Sequence, residues 1–339
     1  MTLSSVDDFE KEFPFQKEIS EQIRFLLTAA VRAPSTHNCQ PWRFKIENNR
    51  LFVYRDTDIK LPQSDSMSRY AHISIGFLLH HIDQLGTWLS MAPQIVPTPQ
   101  GESIAEITFS RATKSGSVPP LVAAIFKRRN RRGNFEMKPI PQSVLDEIIE
   151  IKKSPFGSPE IKIVTDRNAL ANIADATATN MRRVYRDAPF RREMAAWITP
   201  NDSSRKDGVP GYSLNQPTVM SWLLPTIIRF VNMGNVLGKL NGAAIASAAA
   251  AFGFGSEDTV PGWLSVGFAA SHTVLTLIAH DVDYSVFIAS VEYEDTRKSI
   301  GETFGLHQPL EFLFVAGTLS GKVEWMTPRV SVDDKLISS

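Results

Sequence analysis

An α+β fold made of two tandem, related halves is what the sequence predicts, on three observations. Apolar residues switch between helical and strand periods along the N-terminal third of the chain. Ile73-Ser74-Ile75-Gly76-Phe77 with His81 recurs as Leu264-Ser265-Val266-Gly267-Phe268 with His272, at a constant offset of 191. The 339 residues, 43% apolar and 21% charged, suffice for one large domain or two ordinary ones and exclude wholesale disorder.

Taken in order, residues 16–33 read as an amphipathic helix, because Ile19, Ile23, Leu26, Leu27, Ala30 and Val31 fall at helical spacing. Pro34 and Ser35 end it. Trp42, Phe44 and Ile46 then alternate with Arg43, Lys45 and Glu47, Asn48-Asn49 supplies a turn, and Leu51 and Val53 resume the alternation, which is a hairpin signal. A helix from about Tyr70 to Trp88, a Pro-rich loop from Pro93 to Pro99 and a strand from Ala105 to Phe109 follow. The Gly-Ser-Pro segment between Ala112 and Pro120 joins the halves, giving 1–115 and 116–339. Five similar residues in two apolar helices can arise by chance, but Ser and Gly at matching places favour duplication. The second half carries an insertion, roughly 176–256. Within it Thr199 to Tyr212 reads as a mobile loop, and the Ala-rich end from Ala243 to Phe252 as a buried helix or a lid.

Lys plus Arg and Asp plus Glu both number 36, so the formal charge is zero and a dedicated polyanion binder is disfavoured. The single cysteine, Cys39, reads as a small packed residue, and a reducing, cytoplasmic location fits. The polar, acidic N-terminus is not a signal peptide. Between Val219 and Gly255 the apolar run is broken by Pro225, Arg229, Asn232, Lys239 and Asn241 before ~20 residues accumulate, so no membrane span is expected. The glycine fingerprints of dinucleotide and P-loop sites and the nucleophile elbow are missing, and the histidines show no zinc-type pair, so no metal is expected.

Two constellations could carry chemistry. In Ala33-Pro34-Ser35-Thr36-His37-Asn38-Cys39-Gln40-Pro41-Trp42 a proline breaks a helix, mostly polar residues follow, and a second proline launches a strand. Hydroxyl and amide groups there could hold a flat polar ligand, or could simply satisfy their own backbone. In Lys127-Arg128-Arg129-Asn130-Arg131-Arg132 five bases stand in six residues. The run could be a solvated face, a nucleic-acid patch or a phosphate site, since guanidinium forks match phosphate oxygens. Phe135, Ile140, Val144, Leu145 and Ile148 behind it argue against a free basic tail.

The Pro34–Trp42 loop resembles the nitroreductase-like flavoproteins, whose signature is P-S-x-x-N-x-Q-P-W. Pro34, Ser35, Asn38, Gln40, Pro41 and Trp42 match every fixed position. Arg32 to Phe44, Phe190 to Trp197, Asp207-Gly208-Val209-Pro210 and Thr327-Pro328-Arg329 are similar to the Acg branch, a fused two-half version of that fold. The resemblance implies a nitroreductase-like fold, an internal pseudo-dimer with mixed or antiparallel sheets flanked by helices. It implies one flavin mononucleotide (FMN) per chain, held between the halves, because the complementary copies of both motifs are missing. On this resemblance Pro34, Ser35, Thr36, Asn38 and Gln40 belong to the cofactor loop. Ser35, Thr36 and Asn38 would bond the flavin ring or ribityl chain, and Arg128, Asn130, Arg132 and Arg329 would hold the phosphate. Arg129 and Arg131 compete for the phosphate register, and His280 to Tyr284 replaces a loop that normally carries glycines near the ring.

The resemblance implies an oxidoreductase in which NAD(P)H is a transient co-substrate and a nitroaromatic, quinone or similar electron-poor small molecule is the acceptor. No side-chain acid or base is required, so no catalytic residue is nominated. A covered, sequestering flavin protein is the alternative, since the insertion could close over the ring. A nucleic-acid partner is disfavoured. A monomer suffices, and a homodimer is compatible.

Overall fold

The computed structural model describes residues 5–98, 101–113, 116–149, 154–321, 323 and 325–337. The boundary placed at 115/116 falls partly outside the described residues. Helix α1 (Val6–Glu12) starts at a reciprocal capping box between Ser5 and Asp8, and α2 (Ile19–Ala30) buries Ile23, Leu26, Leu27 and Ala30, as the spacing predicts. The hairpin β1 (Trp42–Glu47) and β2 (Arg50–Arg55) pairs Phe44 with Val53 and Glu47 with Arg50 across the Asn48-Asn49 turn. Then come α3 (Arg69–Trp88), β3 (Gln94–Pro97) and β4 (Ala105–Thr108), closing an antiparallel sheet of order β1-β2-β4-β3. The expected Pro93–Pro99 loop therefore contains an edge strand. Pro97 is tolerated there because an edge needs no donor on its open side.

Next are α4 (Pro120–Lys127), α5 (Gln142–Ile149) and β5 (Glu160–Val164). Helix α6 (Arg167–Arg186) runs into the insertion region, which supplies α7 (Ala188–Trp197), the short parallel pair β6 (Ile198–Thr199) and β7 (Val209–Pro210), α8 (Thr218–Phe230) and α9 (Gly234–Ser247). Asp166 caps α6 and Asp187 caps α7. The chain continues through β8 (Ala250–Gly255), α10 (Val260–Ala279), β9 (Asp283–Val286), α11 (Glu294–Phe304), β10 (Leu310–Gly317) and α12 (Val332–Lys335). The second sheet, antiparallel, has the order β5-β8-β10-β9. The Ala-rich end is thus not one helix: it is helical to Ser247 and becomes a central strand at Ala250. Phe252 and Phe254 alternate with Gly253 and Gly255, a period of two that fits a strand. Phe252 stacks on Phe314 of β10 at 5.0 Å, while Gly253 leaves the room that Phe304 fills.

The core is organised around α3 and α10, which cross at the recurring segment. A Cβ on Gly76 would stand 2.4 Å from the Leu264 carbonyl oxygen, and one on Gly267 would stand 2.0 Å from that of Ile73. Only glycine permits this approach. His80 bonds Ser271 through Nδ1 at 2.9 Å, a pair that is itself 191 residues apart. α10 is the one described helix long and apolar enough to cross a membrane, and it is buried in this core.

Candidate functional site

A cavity of about 540 Å³ opens between the end of α2, α3, the basic run after α4, the α6–α9 region, the β9–α11 connection and the C-terminal segment 325–329. Its polar wall begins where Pro34 stops α2. His37, Asn38 and Gln40 all have positive φ (52°, 57° and 54°), a costly backbone for non-glycine residues and one typical of functional loops. Several bonds hold it. The Ser35 hydroxyl accepts from Gln40 N at 2.9 Å, Asn38 Nδ2 donates to the Pro328 carbonyl at 3.1 Å, and Arg329 donates to Asn38 Oδ1 at 2.8 Å. Asn38 keeps one amide proton for another partner.

Nine of the ten nominated residues, Pro34, Ser35, Thr36, Asn38, Arg128, Arg129, Asn130, Arg132 and Arg329, line this cavity. Gln40 does not. Fully buried, it donates to the Asn38 and Lys206 carbonyls and accepts from Val330 N, so it pins the loop to the segment before β7 and to the C-terminal segment. Arg131, the competitor in register, turns away to pair with Asp283 at 2.7 Å.

At one pole of the cavity four guanidiniums converge. Arg128 donates to Tyr284 Oη (2.7 Å) and to the Arg32 carbonyl (2.6 Å), yet its buried Nε has no acceptor. Arg129 donates to the Trp325 carbonyl, and Arg329 to the carbonyls of Val31 and Arg32. Burial, reinforced by Arg128, Arg32 and Arg129, lowers Arg329 to about 9. Burial, with Arg129 and Arg128, lowers Arg32 to about 10. Among the described residues none of Arg128, Arg129 and Arg329 forms an ion pair. This is a concentrated positive field whose natural counter-charge is a ligand anion.

Arg132 stands apart from that pole. It hangs into the cavity without a hydrogen bond or ion pair to any described residue, near Tyr185 and His37, and burial lowers its pKa. Burial, then Arg132, lowers His37 to about 4, so its ring is neutral near pH 7 and lies close to Ser64 Oγ at 3.2 Å. Ile73, Phe77, Val184, Leu224 and Ile228 are among the apolar walls. Glu292 also lines the cavity, and burial raises its carboxyl to about 8. Sequence reasoning missed Glu292 and the role of Tyr284, since neither sits in a motif. Arg32 was visible beside the loop but was not nominated. Cys39 is buried, its thiol raised to about 12 by burial, as expected of a packing residue.

Two contacts tie the insertion to the rest of the chain beside this cavity. The Glu193 carboxylate of α7 accepts from the backbone N–H groups of Gln63 (2.8 Å) and Ser64 (2.9 Å) and from the Ser64 hydroxyl. Tyr212 Oη donates to the Met326 carbonyl at 3.1 Å.

No family model matches the chain. A Mycobacterium tuberculosis protein with the name "Putative NAD(P)H nitroreductase Rv3131" is 28% identical over 300 residues, 84% of this chain and 82% of its own length. A second M. tuberculosis protein, "Putative NAD(P)H nitroreductase acg", is 27% identical over 199 residues, 58% of this chain and 59% of its own. Among solved structures, a "putative nitroreductase" from Anabaena variabilis covers 91% of both chains at 10% identity and TM-score 0.46. The FMN-dependent nitroreductase NfnB from Mycobacterium smegmatis covers 64% of this chain and 96% of its own at 14% identity and TM-score 0.40. Over most of its length the chain is thus similar to a protein named as a putative NAD(P)H nitroreductase, and over 58% of it to Acg.

Proposed function

We propose that the protein is an FMN-dependent NAD(P)H oxidoreductase that reduces an electron-poor small molecule such as a nitroaromatic or a quinone. The observation that carries this is the arginine pole: Arg128, Arg129 and Arg329 form no ion pair among the described residues, and the buried Nε of Arg128 has no acceptor there. Such a donor set fits a phosphate. The cavity's volume lies within the range of small-molecule sites, about 300–1,000 Å³, and its apolar walls suit a flat ring. Its names for relatives, NAD(P)H nitroreductases, agree.

When bound, the flavin supplies the electron-transfer chemistry. This chain's residues bind and orient it. Arg128 and Arg329, with Arg129 and Arg32, hold the phosphate, with Asn130 beside them. Ser35, Thr36 and the remaining amide proton of Asn38 meet the ring or ribityl chain. Arg132, whose charged and titratable neighbours are His37 and Tyr185, would place its charge at the ring end rather than on the phosphate. The site lies between the halves 1–115 and 116–339, one per chain.

The test is a titration of the apoprotein with FMN and, separately, with riboflavin, following flavin fluorescence. FMN should saturate at one per chain and bind far more tightly than riboflavin. Equal affinities, or no binding, would remove the phosphate assignment. A sequestering protein with little turnover is the second reading, and the Glu193 and Tyr212 contacts favour it, since they fasten the insertion across the cavity.

A further inference from the structure

The segment from α8 to α9 carries apolar residues on both of its sides. Towards the cavity it presents Leu224, Ile228 and Leu237. Towards solvent α8 shows Val219 (76% exposed), Trp222 (58%), Leu223 (52%) and Phe230 (72%), at spacings of three, four and eleven from the first, so they form one stripe. Val236 and Leu240 of α9, one turn apart, extend the same kind of surface, with Val231 between the helices. A surface helix ordinarily puts polar residues on that side, and an exposed apolar stripe of this size marks an interaction surface. Charge narrows the partner. From Gly208 to Ser256 the sequence holds no aspartate or glutamate, and its only charged residues are Arg229 and Lys239, both exposed. The Arg229 guanidinium lies over the Phe230 ring at 5.4 Å, so cation and aromatic share one position.

We propose that this face docks on an anionic lipid bilayer. Exposed tryptophan, phenylalanine and aliphatic side chains flanked by cations, without anions, are what an in-plane interfacial segment requires: rings sink to the headgroup boundary while Arg and Lys reach anionic headgroups. α8, at 13 residues with Pro225 inside, lies on such a surface rather than crossing it. Leu240 is 60% exposed and also lines the cavity, so the patch runs into the cavity mouth. Resting on the function proposed above, this points to an acceptor that partitions into lipid, such as a long-chain quinone.

The experiment is flotation of the full-length protein with vesicles of phosphatidylcholine alone or with added phosphatidylglycerol, at low and high salt. Binding should need phosphatidylglycerol and fall with salt. It should drop by roughly tenfold or more in Trp222→Glu/Phe230→Glu, because each ring loses its burial, and also in Arg229→Glu/Lys239→Glu. Both substitutions sit at exposed positions, and far-UV circular dichroism checks their folding. Should a variant fail to fold, the parent's tryptophan emission replaces it: a blue shift with anionic vesicles supports docking and an unchanged spectrum overturns it. Absence of flotation with either vesicle overturns the proposal. So does a concentration-dependent dimer that Trp222→Glu/Phe230→Glu dissociates, which would make the face an interface between copies. FMN affinity, measured in parallel, stays at the parent value in both variants, so failed docking and a failed flavin assignment are told apart.

Discussion

Replacing Arg132 with glutamine isolates the one cavity arginine that bonds to no described residue. Its side chain bonds no described residue, so the fold loses nothing that the side chain was holding. Because burial already disfavours this unpaired charge, unfolding free energy should stay at the parent value or rise. The cofactor should feel the change strongly. One charge-assisted hydrogen bond is worth about 1.5–3 kcal/mol, which at 1.4 kcal/mol per decade raises the FMN Kd roughly 10- to 150-fold. If Arg132 faces the ring rather than the phosphate, riboflavin affinity falls by a similar factor, and the bound flavin's midpoint potential moves negative, because a cation no longer offsets the charge gained on reduction. Fluorescence titration with both ligands and an anaerobic redox titration read these effects. Unchanged affinity together with an unchanged potential would refute the placement. An effect on FMN but not on riboflavin would return Arg132 to the phosphate.

The other predictions address separate parts of the account. Arg128→Met removes the guanidinium with the orphaned Nε; it should weaken FMN but leave riboflavin nearly unaffected, collapsing the preference between them in the same titration. Glu292 faces Arg69 from α3, Asp65 from the preceding loop and Glu193 from α7. Its carboxyl binds a proton in the folded chain up to about pH 8, but only to its ordinary, lower pKa when unfolded, so it costs stability progressively as pH rises between those values. Glu292→Gln should therefore melt like the parent near pH 4 and at a higher temperature at pH 8; the reverse ordering in thermal scans would contradict this. Gly76→Ala forces a methyl against the Leu264 carbonyl and should cost about 1–3 kcal/mol or more in urea unfolding, whereas an unchanged midpoint would mean that the crossing can open. Glu193→Gln weakens the grip on Gln63 and Ser64 and should speed FMN release in stopped-flow exchange; an unchanged rate would show that this contact does not cover the site.

Local signals were legible in the sequence where one periodicity and one punctuation mark decided the outcome. The α2 helix, its stop at Pro34 and the β1–β2 hairpin around Asn48-Asn49 needed nothing distant. The Ala-rich segment misled because alanine fits a helix and a buried strand alike, and only the Phe/Gly alternation beyond Ala251 distinguishes them. In the site, the loop and basic run stood out by composition, but the division of labour within the run did not. That Arg131 turns outward while Arg128 and Arg132 separate depends on Asp283 and Tyr284, which lie more than 150 residues away. Gln40 matches the motif as well as Ser35 does, yet its partners Lys206 and Val330 make it a structural pin. Glu292 had no local signature, because its altered acidity comes from burial among segments distant in sequence.

The central claim, a flavin in this cavity that nicotinamide can reach and an acceptor can reoxidise, is tested most directly by anaerobic addition of NADPH to the FMN-loaded protein while the visible flavin band is recorded. The account predicts bleaching, followed by recovery when a quinone or nitroaromatic is admitted. A band that persists with NADPH but disappears with dithionite would contradict it, leaving a flavin held under the insertion and out of reach.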